Sequence, residues 1–181
     1  MKQSKILQEL RSMNARHLQE SMAMLNLGQE KLSAKPSAER WNAFECIDHL
    51  CSYGDIYVKE FKRVLEDPNP RTKDEFKPGI LGSRSAKSML PDAQGKPNNP
   101  MKTFKKMDPS GKTLNKGIIE HFIRLCTEME KILDQAEKAD LNKNRCRLTL
   151  PLLKFKLGDT LQFHLFHNER HMTQVKRALK A

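Results

Sequence analysis

The chain has 181 residues, 38% of them hydrophobic, and a formal net charge of +11. That length suits one domain over residues 1–181 with a sizeable core, and no apolar run approaches the roughly 18–20 residues that span a bilayer. The opening MKQSKILQEL lacks the apolar core of a secretory signal, so a soluble, cytoplasmic protein without membrane contact is expected.

Residues 4–33 read as a long amphipathic helix, with Ile6, Leu10, Met13, Leu18, Met22, Leu25 and Leu32 near spacings of 3 and 4. His17 reads as a surface or boundary residue of it. KPSAER breaks the helix at Pro36. The second helix, 43–66, starts in WNAFECIDHL. Asn42 suits the N-cap, and Glu45 follows at capping-box spacing, a cap more than a ligand. Trp41 is expected to pack against the start of this helix. Ile47, Leu50, Cys51, Gly54, Val58, Phe61 and Leu65 mark its buried stripe, and EDPNP ends it.

Residues 67–112 hold seven of the nine prolines and four glycines without a sustained period. They read as an irregular crossover, either a connection with short ordered pieces or a mobile lid. The crossover carries ten Lys/Arg against five Asp/Glu. Much of the positive charge therefore lies off the helix faces, which argues against a nucleic-acid surface. A third helix is expected over 113–138, with Leu114, Ile118, Phe122, Leu125, Met129, Ile132 and Ala136 inward. RCRLTLPLLKFKL reads as a short extended segment before a last helix at 157–179. The fold class is all-α, a four-helix bundle in which the long crossover lets helices 2 and 3 run parallel.

FHLFHNERHM, residues 163–172, holds three of the six histidines. At 100° per residue, His164, His167 and His171 share an arc of roughly 60° with Gln174 and Thr160 at its flanks. Glu169, Arg170, Lys176 and Arg177 fall on the far, wet side. His167 and His171 lie one turn apart, a spacing that lets two imidazoles meet one metal ion. A further ligand must come from another helix, and His49 is the natural candidate, although it lies near the edge of its helix's apolar arc. His121 borders the inner face of the third helix and could approach the same place. Cys46, three residues before His49, could also reach a metal. The four cysteines form no CxxC pair and read as reduced packing residues. The competing reading is that inward histidines are hydrogen-bonded core residues.

Trp41, His49 in WNAFECIDHL, and His167, His171 and Gln174 in LGDTLQFHLFHNERHMTQVKR resemble the DinB-like superfamily. The pattern is a Trp before the second helix, a His within it, and His-x-x-x-His-x-x-Gln on the last helix. The likeness covers the bundle and leaves the 67–112 crossover unmatched. It implies an up-down-down-up four-helix bundle whose three histidines, here His49, His167 and His171, bind a divalent ion, commonly zinc or nickel. Some members are transferases or isomerases that use a low-molecular-weight thiol, and others are suspected hydrolases.

Three imidazoles would leave the ion charged and with open positions, the pattern of catalytic sites rather than closed structural ones. Such an ion lowers the pKa of a bound water or thiol. His164 and Gln174 then fall in the surrounding shell, with His164 alternatively a fourth ligand or a core residue. Three hypotheses follow: a metal-dependent hydrolase or thiol S-transferase acting on a small molecule, a basic interaction module, and a bundle with structural histidines. An exposed helix face leaves room for a homodimer. Imidazole suits zinc, nickel, copper and iron alike, so the donor set does not choose the metal.

Overall fold

The computed structural model describes residues 1–92, 103–149 and 152–180. Its elements are α1 (Gln3–Met24), α2 (Gln29–Ser33), α3 (Ala43–Glu66), α4 (Ile80–Met89), a 3₁₀ turn at Lys105–Met107, α5 (Gly117–Ala136), β1 (Arg145–Arg147), β2 (Lys154–Lys156) and α6 (Leu157–Ala178). The chain is all-α apart from the two short strands, which pair antiparallel with Cys146 opposite Phe155. Among the described residues no helix is long and apolar enough to cross a membrane.

The expected 4–33 helix is two helices. Leu25 closes α1, and Gly28, with φ −66° and ψ 150°, opens α2 in extended conformation. A glycine inside an apparently continuous helical period marks that break. The inner stripe of α1 also differs from the expected one. Asn14, His17 and Ser21 are buried, while Met22 is 54% exposed. The buried polar residues are satisfied in part by neighbours: Asn14 Nδ2 donates to Cys126 O at 2.9 Å, and Ser21 Oγ to His17 O at 2.8 Å.

The Asn42 cap is in place. Asn42 Oδ1 accepts the Glu45 backbone N–H at 2.8 Å, and Glu45 Oε2 accepts that of Asn42 at 2.9 Å. Two otherwise unpaired donors of the first turn are satisfied together. α3 packs against both α5 and α6, and α1 packs against the same two helices. α3 and α5 approach closely at Gly54, where a Cβ would lie 2.7 Å from Leu125 Cδ1. Because neighbours lie on two sides, residues 43–51 of α3 are buried all round, His49 among them.

The crossover is not irregular throughout. It starts with Arg71 N donating to Lys138 O at 2.8 Å, and Phe76 is fully buried. It then forms α4, which packs along α6. Asp159 of α6 fixes the contact: its Oδ2 accepts the Gly79 N–H at 2.9 Å, and a Cβ on Gly82 would sit 2.6 Å from the same oxygen. Residues 93–102 of the crossover lie outside the described residues. Its return, from Thr103 to Lys112, lies against the start of α3, where Lys112 Nζ meets Asp48 Oδ2 at 2.6 Å.

Candidate functional site

α3 and α6 bring His49, His167 and His171 together. Each offers one ring nitrogen, and these three atoms all lie within 4.8 Å of one another. His49 Nε2 is 3.3 Å from His167 Nε2. The ring centroids of His171 are 4.5 Å from those of both His49 and His167.

Two of the rings are oriented from behind. His49 Nδ1 donates to Met107 O at 2.9 Å, and His171 Nδ1 donates to Gln174 Oε1 at 2.7 Å. A proton fixed on Nδ1 leaves the Nε2 lone pair facing the centre, the usual device for aiming a histidine ligand. Burial lowers the pKa of all three rings, well below the ordinary value for His167 and His171. The three imidazoles are therefore neutral at neutral pH, the form that binds metal.

This donor set fits a divalent ion. Bonds of about 2.0–2.1 Å to a tetrahedral ion place ligand nitrogens about 3.3 Å apart, and the His49–His167 separation is 3.3 Å. Among the described residues no carboxylate or thiolate joins the cluster. Cys46 Sγ lies 4.0 Å from Gln174 Oε1, and burial pushes its pKa up to about 12, so it stays a thiol.

The other candidates lie elsewhere. His164 packs on Tyr57 and Phe61, with centroids at 5.4 and 5.9 Å, and burial lowers its pKa to about 3. It is neither in the cluster nor on the cavity wall. His121 bonds Asp55 Oδ1 at 2.9 Å on the outside of the bundle. His17 is fully buried, not a boundary residue, because α6 covers it: its Nε2 meets Glu169 Oε2 at 2.7 Å. Trp41 packs where α3 starts and also tilts over His49, with centroids 4.9 Å apart, while its Nε1 donates to Ser110 Oγ at 3.2 Å.

The three histidines open onto a cavity of about 1030 Å³. Tyr53 stands beside them, its ring 5.0 Å from His49 and 4.8 Å from His167. Burial raises the Tyr53 pKa, so its phenol keeps its proton and can donate a hydrogen bond into the cavity. The sequence reading missed Tyr53, Met107, Arg170 and Arg177. Met107 acts through a backbone carbonyl, which leaves no side-chain signal. Arg170 and Arg177 were placed on the wet side, yet both line the cavity and Arg170 is only 8% exposed. At 100° per residue Arg170 lies only about 60° from His167, beside the histidine arc rather than opposite it, and α4 covers that flank of α6, where Arg170 Nη1 donates to Ser88 O at 3.5 Å. No pattern in the loop's composition foretold a helix there.

No curated protein and no solved structure matches the chain. A model of the DinB superfamily matches residues 13–175, from the middle of α1 to the last turns of α6 and across all three clustered histidines. The chain belongs to the DinB superfamily.

Proposed function

We propose that the protein is a metal-dependent enzyme in which His49, His167 and His171 hold one divalent ion, zinc or nickel, in an up-down-down-up bundle. The observation that supports this most is the convergence of three neutral, buried imidazoles with their ring nitrogens within 4.8 Å, beside a large cavity. When bound, such an ion supplies Lewis acidity and lowers the pKa of the water or thiol it takes up. The substrate is a small molecule, and the reaction is hydrolysis or transfer to a low-molecular-weight thiol. The protein is expected to act in the cytoplasm, as a monomer or homodimer, without a specific nucleic-acid partner.

The chain's own residues have separate tasks in this reading. Met107 O and Gln174 Oε1 hold the rings of His49 and His171 in one tautomer. Tyr53 donates its phenolic proton as a hydrogen bond to a substrate oxygen. Trp41 and Phe163 shield the histidines: Phe163 stacks on His167 at 6.4 Å and 9°, and Trp41 on His171 at 6.0 Å. Excluding water there strengthens every polar contact inside.

A turnover screen tests the proposal. Protein loaded with zinc or nickel is offered activated aryl and alkyl esters in one panel and electrophile–thiol pairs in the other. Turnover in either panel is expected, lost with a chelator and in His171→Ala, and retained in His121→Ala. Turnover that survives both the chelator and His171→Ala would mean that the cluster is not the active site.

A further inference from the structure

We infer that the cavity takes a neutral, flat aromatic body of fused or linked rings, laid on a floor of protein rings with its reacting end at the three histidines. The inference rests on the metal reading only for which end reacts.

The rings of α3 and α6 meet in register. His49 lies against His171, Tyr53 against His167 and Tyr57 against Phe163, with centroids 4.5, 4.8 and 6.0 Å apart. All six side chains line the cavity. His49 and Tyr57 are eight residues apart in α3, as are Phe163 and His171 in α6. At 1.5 Å per residue the floor is therefore about 12 Å long, room for two or three rings. Phe163 and His167 are tilted by only 9°, and Tyr53 and Tyr57 by 14°, so neighbouring rings along each helix are nearly parallel. Around this floor stand Met89 of α4, Leu148 and Phe155 of the hairpin, and Phe104 of the crossover's return. Phe104 and Leu153 are 53% and 42% exposed, and both of these uncovered apolar side chains border the cavity.

Polar groups away from the histidines are already bonded within the chain. The Tyr57 phenol is hydrogen-bonded to Thr149, and Ser88 Oγ donates to Ser85 O at 2.8 Å. Arg170 and Arg177 have interaction partners of their own. Glu39 and Arg40, opposite in charge, are exposed and adjacent. A charged body would lose its hydration here and gain little in return. A flat ring gains burial and, beyond that, ring–ring contacts in offset or edge geometry. Polar chemistry is concentrated at the other end, where Tyr53 stands beside His49 and His167.

The test separates ring contacts from simple burial. N-phenyl-1-naphthylamine is titrated by fluorescence into the full chain, with and without zinc. It is then displaced by 2-naphthalenemethanol or by decahydro-2-naphthalenemethanol, which share one carbon skeleton. The saturated compound is the more apolar, so burial alone predicts that it binds more tightly. The aromatic compound is instead expected to bind about fivefold more tightly, the size of one good ring–ring contact. In zinc-free protein 2-naphthoate should bind no more tightly than the naphthalene alcohol. Phe163→Leu keeps apolar bulk on the floor and removes a ring. It should cut the aromatic preference to about twofold or less and leave the saturated compound within about twofold of its wild-type affinity. Phe155→Leu, on the hairpin rather than in the bundle, should shift the preference in the same direction, and circular dichroism checks that both variants stay helical. An equal or reversed order in the wild type, a preference untouched in both folded variants, or tighter binding of 2-naphthoate to zinc-free protein would overturn the inference. Zinc stoichiometry is read on the same samples. Bound zinc without aromatic preference defeats this inference alone, and aromatic preference without zinc binding defeats the metal reading alone.

Discussion

Two groups of buried histidines meet on α6, and only one of them has the makings of a site. His49, His167 and His171 face a cavity, and their ring nitrogens converge. His164 and His17 are as deeply buried, at 3% and 0% exposure, yet they converge on nothing. The Nδ1 atoms of His17 and His164 have no hydrogen-bond partner among the described residues, whereas those of His49 and His171 are aimed by oxygen acceptors. His17 spends its other nitrogen on Glu169, which also meets Arg16 Nη2 at 2.5 Å. Burial alone therefore does not make a histidine a ligand. Convergence, orientation from behind and access to a cavity separate the two groups.

His49→Ala and His167→Ala are each expected to weaken zinc binding by more than about 100-fold, beyond the effect of a supporting residue, while circular dichroism stays helical. His164→Ala should leave zinc affinity within a few-fold. Competition against a chromophoric chelator measures both. Loss of zinc in His164→Ala with retention in His49→Ala would reverse the assignment.

Gln174→Ala sharpens the role of orientation. It removes the acceptor at His171 Nδ1 and is expected to lower zinc affinity by about 10–100-fold. Unchanged affinity would show that the ring needs no partner.

The His17 group should answer in stability instead. His17→Ala removes the buried partner of Glu169 and is expected to cost about 2 kcal/mol, read as a lower urea midpoint with zinc affinity unaltered. Glu169 adds an acid dependence. Its pKa is held down to about 2 by the hydrogen bond from His17 and then by Arg16. The stability it contributes is complete above its unfolded pKa of about 4.3 and disappears as pH falls towards 2.

His164 gives a graded effect that appears only on acidification. Its folded pKa is about 3 because burial disfavours the charged ring. The unfolded chain takes up that proton below about pH 6.5, so stability falls as pH drops from 6.5 towards 3, by up to about 1.4 kcal/mol per pH unit for this group. The stability difference between the wild type and His164→Gln should therefore move against the wild type across that window. A difference independent of pH would show that the ring is not buried neutral.

Much of the site was legible because it rests on local periodicity. His167 and His171 at one-turn spacing, and the Asn42–Glu45 cap that sets the register of α3, are visible in short windows of sequence. What a helix wheel cannot report is which neighbour covers each face. Arg170 lies about 60° from His167 on the wheel, so whether it is wet depends on the neighbour at that edge, and that neighbour is α4; the stripe of α1 runs through Ser21, which is buried, and not through Met22, which is exposed, and this places His17 inside it. α4 itself, ILGSRSAKSM, is rich in serine and holds a glycine, so its helix rests on contacts with α6 rather than on propensity. The hairpin before α6 is three residues per strand, too short for alternation to declare itself.

The central claim is that one divalent ion sits among His49, His167 and His171. Elemental mass spectrometry of untagged protein, beside His167→Ala and His164→Ala, tests it most directly. About one zinc or nickel ion per chain in the wild type and in His164→Ala, with none in His167→Ala, is the expected result. A wild-type chain that holds no metal after incubation with zinc and nickel, or a His167→Ala chain that holds as much, would contradict it.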